Sequence, residues 1–281
     1  MPSPTALPPV TVDPFTLPRT DHAGGCREAW QPPAYDPPGF SLRAVARRWL
    51  DLQAASIWAD LGPLLRHARG TVLDVGCGAQ PYRRLVPPGV TYVGVDTEDA
   101  LARFGYRTPD TTYYAGDTLP VPGASVDVLV CTETLEHVPD TAPFLAELRR
   151  CLRPGGRAIL TVPFAARWHY VPHDYWRFTP SALVRLLAAA GFDKVAVYPR
   201  GNAVTVACYK GMALVLPLLL PQSGGTLGRA LKRVAGLALS PVVAGLAAIG
   251  QLSLRRDGGT DCLGYTVVAT APGPGKDHYT C

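Results

Sequence analysis

The segment Val72-Leu-Asp-Val-Gly-Cys-Gly constrains this chain more than any other. A short β-branched run from Thr71 to Val75 enters a tight turn that carries Gly76 and Gly78. Glycine lets a backbone approach a ligand closely, and a helix that follows offers unpaired N–H groups to a carboxylate. The same unit then repeats. Further strands are expected at Thr91–Val95, Thr111–Ala115, Val126–Cys131, Arg157–Val162, Lys194–Tyr198 and Tyr265–Ala269. Between them lie a short helix at Tyr82–Val86 and a longer one at Thr141–Leu152, stopped by Pro154-Gly155-Gly156. A third is capped by Thr179, opens on Pro180, staples Phe178 onto Leu183 and closes at Gly191. Strands alternating with helices make a parallel α/β sheet covered on both faces, with ligands at the carboxyl ends of its strands.

The 281 residues suffice for one such domain with extensions. With 47% hydrophobic and 17% charged residues the chain can bury a core, and global disorder is excluded. Residues 1–40 hold ten of the 29 prolines and no apolar period, which predicts an extended arm anchored by Trp30, Tyr35 and Phe40. From Leu42 to Arg69 the spacing of Leu42, Val45, Trp49, Leu52, Ile57, Trp58, Leu61 and Leu65 is helical. The expected organisation is the arm (1–40), a core (41–200), an apolar insertion (201–261), and a last strand with its tail (262–281).

The net charge of +5 comes with no basic stripe interleaved with aromatics, so nucleic acid is not an expected partner. Seven cysteines (Cys26, Cys77, Cys131, Cys151, Cys208, Cys262 and Cys281) form no CxxC pair. Their odd number and the absence of a secretory-type start lead us to expect a cytoplasmic, reducing environment. No metal site is expected. His169 and His173 stand at i, i+4, but the prolines around them oppose a helix there.

Three acids end three consecutive strand units: Asp74 before the glycines, Asp96 after the second strand, and Asp117 after the third. An acid before the glycine turn suits an ammonium better than a pyrophosphate, and Gln80 and Pro81 stand where a dinucleotide site wants a third glycine. The segments VLDVGCG, YVGVD, GDTLPVPGASVDVLVCTETLEHV and LRPGGRAILTVPF together resemble the motifs of class I S-adenosylmethionine-dependent methyltransferases. The resemblance covers roughly residues 70–200. It implies a Rossmann-like, mixed seven-stranded sheet with helices on both faces and S-adenosyl-L-methionine as cofactor. It also implies roles by position. Asp74 and the backbones of Gly76 and Gly78 would hold the methionine end, and Asp96 with Thr97 the ribose. Asp117 and the Thr118 backbone would meet adenine, while Thr132 and Glu133 would line the far side.

On the acceptor side, a hydroxyl nucleophile benefits from a general base within hydrogen-bond reach. His137 follows the fourth strand, and His169-Tyr-Val-Pro-His-Asp-Tyr-Trp-Arg-Phe-Thr follows the fifth. Candidate catalytic residues are therefore His173 as base, Asp174 as its orienter, His137 and His169. Arg177 offers a blander alternative, as a partner of Asp174 or of a loop carbonyl. The HDYWRFT loop resembles a branch of the family found in glycan, lipid-linked and secondary-metabolite contexts, so a small or medium organic acceptor is expected, with oxygen as the methylated atom.

The insertion holds two apolar stretches, Met212–Leu220 and Val234–Leu254, with Arg229, Lys232, Arg233, Arg255 and Arg256 beside them. The first is too short to span a bilayer and Pro241 interrupts the second. It is expected to be a helical lid over the acceptor site. A homodimer surface or a peripheral membrane contact through residues 211–254 are the alternatives. Two rival functions stand beside methyl transfer: non-methylating chemistry on the same cofactor fold, and a membrane-associated binding protein without activity.

Overall fold

The amphipathic stretch after the Pro-rich arm forms two helices, not one, because Asp51 caps a new start. Helix α1 (Leu42–Leu50) ends there, and the Asp51 carboxylate accepts from Ala54 N to begin α2 (Leu52–Leu65). The computed structural model describes residues 42–273 apart from 106, 109, 171, 220 and 222–224. The arm with its anchors Trp30, Tyr35 and Phe40, and the tail from residue 274, lie outside the described residues.

Seven strands follow in one sheet: β1 (Thr71–Val75), β2 (Thr91–Thr97), β3 (Thr111–Tyr114), β4 (Val126–Thr132), β5 (Leu152–Pro163), β6 (Asp193–Arg200) and β7 (Gly264–Thr270). Their order is β3-β2-β1-β4-β5-β7-β6. The first five run parallel, and β7 is antiparallel to both β5 and β6, which makes the sheet mixed. The Pro-Gly-Gly expected to precede the fifth strand lies within β5, which pairs from Leu152 across an irregular register to β4.

Alternate residues of each central strand enter two cores. Leu73, Val75, Leu129, Cys131 and Leu160 pack with Leu145 and Leu148 of α4 (Thr141–Cys151) and with Leu183 and Leu187 of α5 (Pro180–Ala189). On the opposite face Val72, Val128, Val130 and Ile159 meet Ile57, Leu61 and Leu65 of α2. Each fully buried side chain of this kind contributes about 1.5–3 kcal/mol relative to exposure. Helix α3 (Glu98–Phe104), which the apolar pattern does not predict, is capped by Thr97 and ended by Gly105 at φ +69°.

The insertion folds as α6 (Ala203–Leu219), α7 (Thr226–Ala238) and α8 (Ser240–Ser253). Cys208 and Met212 of α6 and Ala247 of α8 form a third core with Leu52 and Leu263, so the insertion seats on the start of α2. Gln251 ties α8 to α1 through the carbonyls of Arg48 and Trp49. No single described helix is long and apolar enough to cross a bilayer; the pair α7–α8 is, but it bends by 48° where Pro241 opens α8. Much of the insertion's apolar surface stays exposed, with Leu214 of α6 at 79% and Leu227 of α7 at 74% accessible.

Candidate active site

The carboxyl ends of β1, β2, β4 and β5 open into one cavity of about 1280 Å³. Gly76 turns the chain out of β1 at φ +68°, where a Cβ would lie 2.3 Å from Thr134 Oγ1. The N–H groups of Gly76 and Cys77 donate to Val95 O, folding the turn onto the end of β2. There the Asp96 carboxylate accepts from Gly78 N and from Thr97 N, each at 2.8 Å. Asp96 is thus fixed on the cavity wall between the glycine turn and the start of α3. Gly76, Gly78, Asp96, Thr97, Asp117, Thr132 and Glu133 all line the cavity.

Two expected cofactor residues lie off the wall. The Thr118 side chain is exposed outside the lining. Asp74 points to the α2 face of β1 and is buried beneath the turn, with Oδ2 accepting from Tyr92 OH at 2.8 Å and Oδ1 without a partner. Burial pushes its carboxyl up to about 7 against the Tyr92 hydrogen bond, with a further push from Asp96.

Glu133 follows β4 in a left-handed conformation (φ +48°), and its carboxylate accepts at 2.7 Å from the buried Arg200 guanidinium at the end of β6. A 3-10 turn, Leu135–His137, then carries Glu136 fully into the interior and turns His137 toward the cavity. Burial first, then the nearby Glu133, holds the Glu136 carboxyl well above its ordinary value. Burial also lowers His137 to about 4.

The loop after β5 is fastened to this turn. Tyr175 N donates to Glu136 O, Trp176 Nε1 to Val138 O, and His137 Nδ1 lies 2.8 Å from His173 O. The expected pairing of His173 with Asp174 does not form. Asp174 accepts from both terminal nitrogens of Arg177, at 2.6 and 2.8 Å, and from His169 N, and it sits 3.0 Å from His169 Nδ1. Asp174 is drawn inward to Arg177 and His169, while His173, whose N–H closes a turn onto Tyr170 O, is exposed at the cavity with Nδ1 3.3 Å from Tyr175 OH. Against the opposing effect of burial, the Arg177 hydrogen bonds hold Asp174 below the usual carboxylate range. Arg177 also donates to the carbonyls of Arg167 and Trp176, so it fills both of its expected packing roles. His137, His169 and His173 reach the cavity together; Asp174 stays behind it.

Several wall residues were not anticipated. Tyr170 packs its ring 5.3 Å from Phe104, and the Arg103 guanidinium lies 4.6 Å above it, so α3 and the loop after β5 meet across the cavity. Tyr209 of α6 reaches the wall from the insertion. The cap at Thr97 followed by two acids, closed by Gly105, is the signal that could have placed α3 and with it Phe104.

Residues 46–197, more than half of the chain, match the model of a family described as a methyltransferase domain. The chain belongs to the class I S-adenosylmethionine-dependent methyltransferases. It is 28% identical over 190 residues to a ubiquinone biosynthesis O-methyltransferase of Thiobacillus denitrificans, covering 58% of this chain and 77% of that one. A protein of Mycolicibacterium smegmatis named "Probable S-adenosylmethionine-dependent methyltransferase" is 33% identical over 138 residues, covering 46% of this chain and 54% of its own. The fold is shared with the [4+2]-cyclase SpnF, with a TM-score of 0.50 at 21% identity over 79% of this chain and 83% of that one. The chain spans 32% of a further curated relative, a 37.1 kDa protein of a Streptomyces fradiae transposon. The methyltransferase's cavity fits its family's cofactor in donor chemistry. A fixed carboxylate at the end of β2 suits a ribose diol, a second acid after β3 suits an adenine edge, and the glycine turn leaves room for a chain to pass.

Proposed function

We propose that this methyltransferase moves the methyl group of S-adenosylmethionine to an oxygen of a small or medium organic acceptor, such as a secondary metabolite, sugar or lipid-linked compound. The observation that carries this reading is the gathering of His137, His169, His173, Tyr170 and Tyr175 on one cavity wall beside the cofactor strand ends. Asp96 binds the ribose with Thr97 at its side. Asp117 and the Thr118 backbone take adenine, Gly76 and Gly78 pass the methionine end, and Thr132 and Glu133 close the far wall. Asp74 acts from beneath the turn. When bound, the cofactor supplies an electrophilic methyl on a sulfonium. The chain's part is then positioning, plus removal of one proton from the acceptor. His173 is the base in this reading, because it is the exposed histidine of the three. Asp174 and Arg177 hold His169 and the loop. The relatives named for ubiquinone O-methylation support oxygen as the acceptor atom.

The test is product analysis with hydroxylated acceptors. S-adenosylhomocysteine and a methyl ether should form together, and His173→Ala should lower turnover by about 10²–10⁴ while S-adenosylhomocysteine affinity holds. Conversion of the acceptor without S-adenosylhomocysteine would put the chain in non-methylating chemistry instead.

The partner of the insertion in this reading is an anionic lipid surface. From Lys194 to Arg256 there is no Asp or Glu, while eight Lys and Arg residues occur. On α7, Leu227, Leu231 and Val234 share one face at i, i+4 and i+7, all exposed, beside Arg229, Lys232 and Arg233. An apolar stripe flanked only by positive charge suits a headgroup boundary better than a second copy of a chain with the same charge. The lid role is left to Tyr209.

A further inference from the structure

We infer that Glu136, His137 and His169 bind one divalent transition-metal ion of the zinc class at the acceptor end of the cavity. One potential ligand atom from each of the three lies within 4.8 Å of the other two. Glu136 is wholly buried, and neither of its carboxylate oxygens has a hydrogen-bond partner among the described residues. A buried carboxylate is retained where a cation or strong donors satisfy it, and among the described residues no side chain donates to this one.

The histidines beside it are set up to give electron pairs to an ion. His137 Nδ1 lies 2.8 Å from His173 O, and a carbonyl can only accept, so Nδ1 carries the proton. In the neutral ring that leaves the lone pair on Nε2, which is 3.6 Å from Glu136 Oε1. Two electron-pair donors facing each other at that distance accommodate an ion between them. His169 Nδ1 lies 3.1 Å from Arg167 O and 3.0 Å from Asp174 Oδ2, which fixes the same tautomer. Asp174 is in turn clamped by Arg177. A carboxylate or carbonyl behind each imidazole is the outer shell that orients metal-binding histidines.

Two imidazoles and one carboxylate match zinc, cobalt, manganese or iron better than magnesium, which prefers oxygen ligands and water. Three protein ligands leave open positions on the ion. His137 and His169 line the cavity, so those positions face the acceptor. The catalytic use of the site rests on the methyl-transfer reading. An acceptor hydroxyl held there would be placed to give its proton to His173, and the bound cofactor would supply the electrophilic methyl for the oxygen so freed. Metal binding itself is independent of that reading.

The test uses the full chain, stripped with chelator and titrated with Co²⁺, followed by visible absorption and by elemental analysis after desalting. Wild type should hold one equivalent with the intense visible bands of a four- or five-coordinate site, displaced by Zn²⁺. His137→Ala and His169→Ala should each weaken binding at least tenfold, and Asp174→Asn by about ten- to a hundredfold through His169. His67→Ala should change nothing. Glu136→Gln is accepted as a test only where calorimetry shows that it still binds S-adenosylhomocysteine; it should then bind no Co²⁺. Wild type retaining no more Co²⁺ than His137→Ala would overturn the site. Methyl transfer persisting in metal-free protein would separate the ion from the reaction, whereas metal binding without methyl transfer would count against the acceptor reading alone.

Discussion

Asp74 carries a carboxyl that the fold keeps away from water. Its neighbours are Tyr92, which donates to it, and Asp96 and Cys77, which offer it no positive charge. The carboxyl is raised from 3.8 to about 7, so between those values the folded chain holds a proton that the unfolded chain releases. The stability it contributes is fully present below the unfolded value and is lost as pH rises through about 7. A shift of this size corresponds to on the order of 4 kcal/mol once the group ionises in the fold. Urea unfolding should therefore show a stability falling from pH 5 to pH 8, and Asp74→Asn should flatten that fall. A variant keeping the wild-type slope would remove Asp74 as its source. Asp174 makes the opposite case, since its partners want it charged. Asp174→Asn should cost about 2 kcal/mol in urea unfolding, because it removes the charge and one of the two accepting oxygens that Arg177 and the His169 N–H share. His173→Ala, which removes an exposed ring, should cost less than about 0.5 kcal/mol.

At the scale of elements, the sheet strands are legible because short apolar runs ending in glycine or acid alternate with helical segments, as the strands of an α/β sheet do. The helices were legible where the period was long and poorly legible where it was short. Helix α3 has seven residues and one buried side chain, Ala100, so its sequence carries caps and almost no stripe. The split between α1 and α2 falls at Asp51, whose backbone is extended and whose side chain caps α2. In the site, the strand-end acids could be read, but which way a loop residue points could not. Asp174 is expected beside His173 because the two are adjacent, but the Arg177 guanidinium and the His169 N–H compete for the same carboxylate and take it. Glu136, three residues after Glu133 and next to His137, gives no sign in the sequence that its carboxylate is buried without a hydrogen-bond partner among the described residues. The apolar insertion yields its own prediction. The chain should co-sediment with phosphatidylglycerol vesicles and not with phosphatidylcholine vesicles, and Leu227→Glu with Leu231→Glu should release it. Equal recovery with both lipids would contradict the electrostatic part, and a stable dimer that buries α7 would replace the lipid reading.

The whole molecule is a single logic of strand ends. Parallel β1, β2, β3 and β4 deliver Gly76, Asp96, Asp117 and Thr132 to one cavity, and β5 delivers the histidine loop to its rim. The antiparallel β7 closes the other half of the sheet, and the insertion between β6 and β7 rests on α1 and α2, adding Tyr209 to the wall. The central claim is that this cavity holds the cofactor through the carboxylate at the end of β2. Isothermal calorimetry with S-adenosylhomocysteine tests it most directly. Wild type should bind one equivalent, and Asp96→Ala should bind it about ten- to a hundredfold more weakly, the loss of hydrogen bonds to a charged acceptor of about 1.5–3 kcal/mol. Equal affinity in the two proteins, or no binding by wild type, would contradict the account.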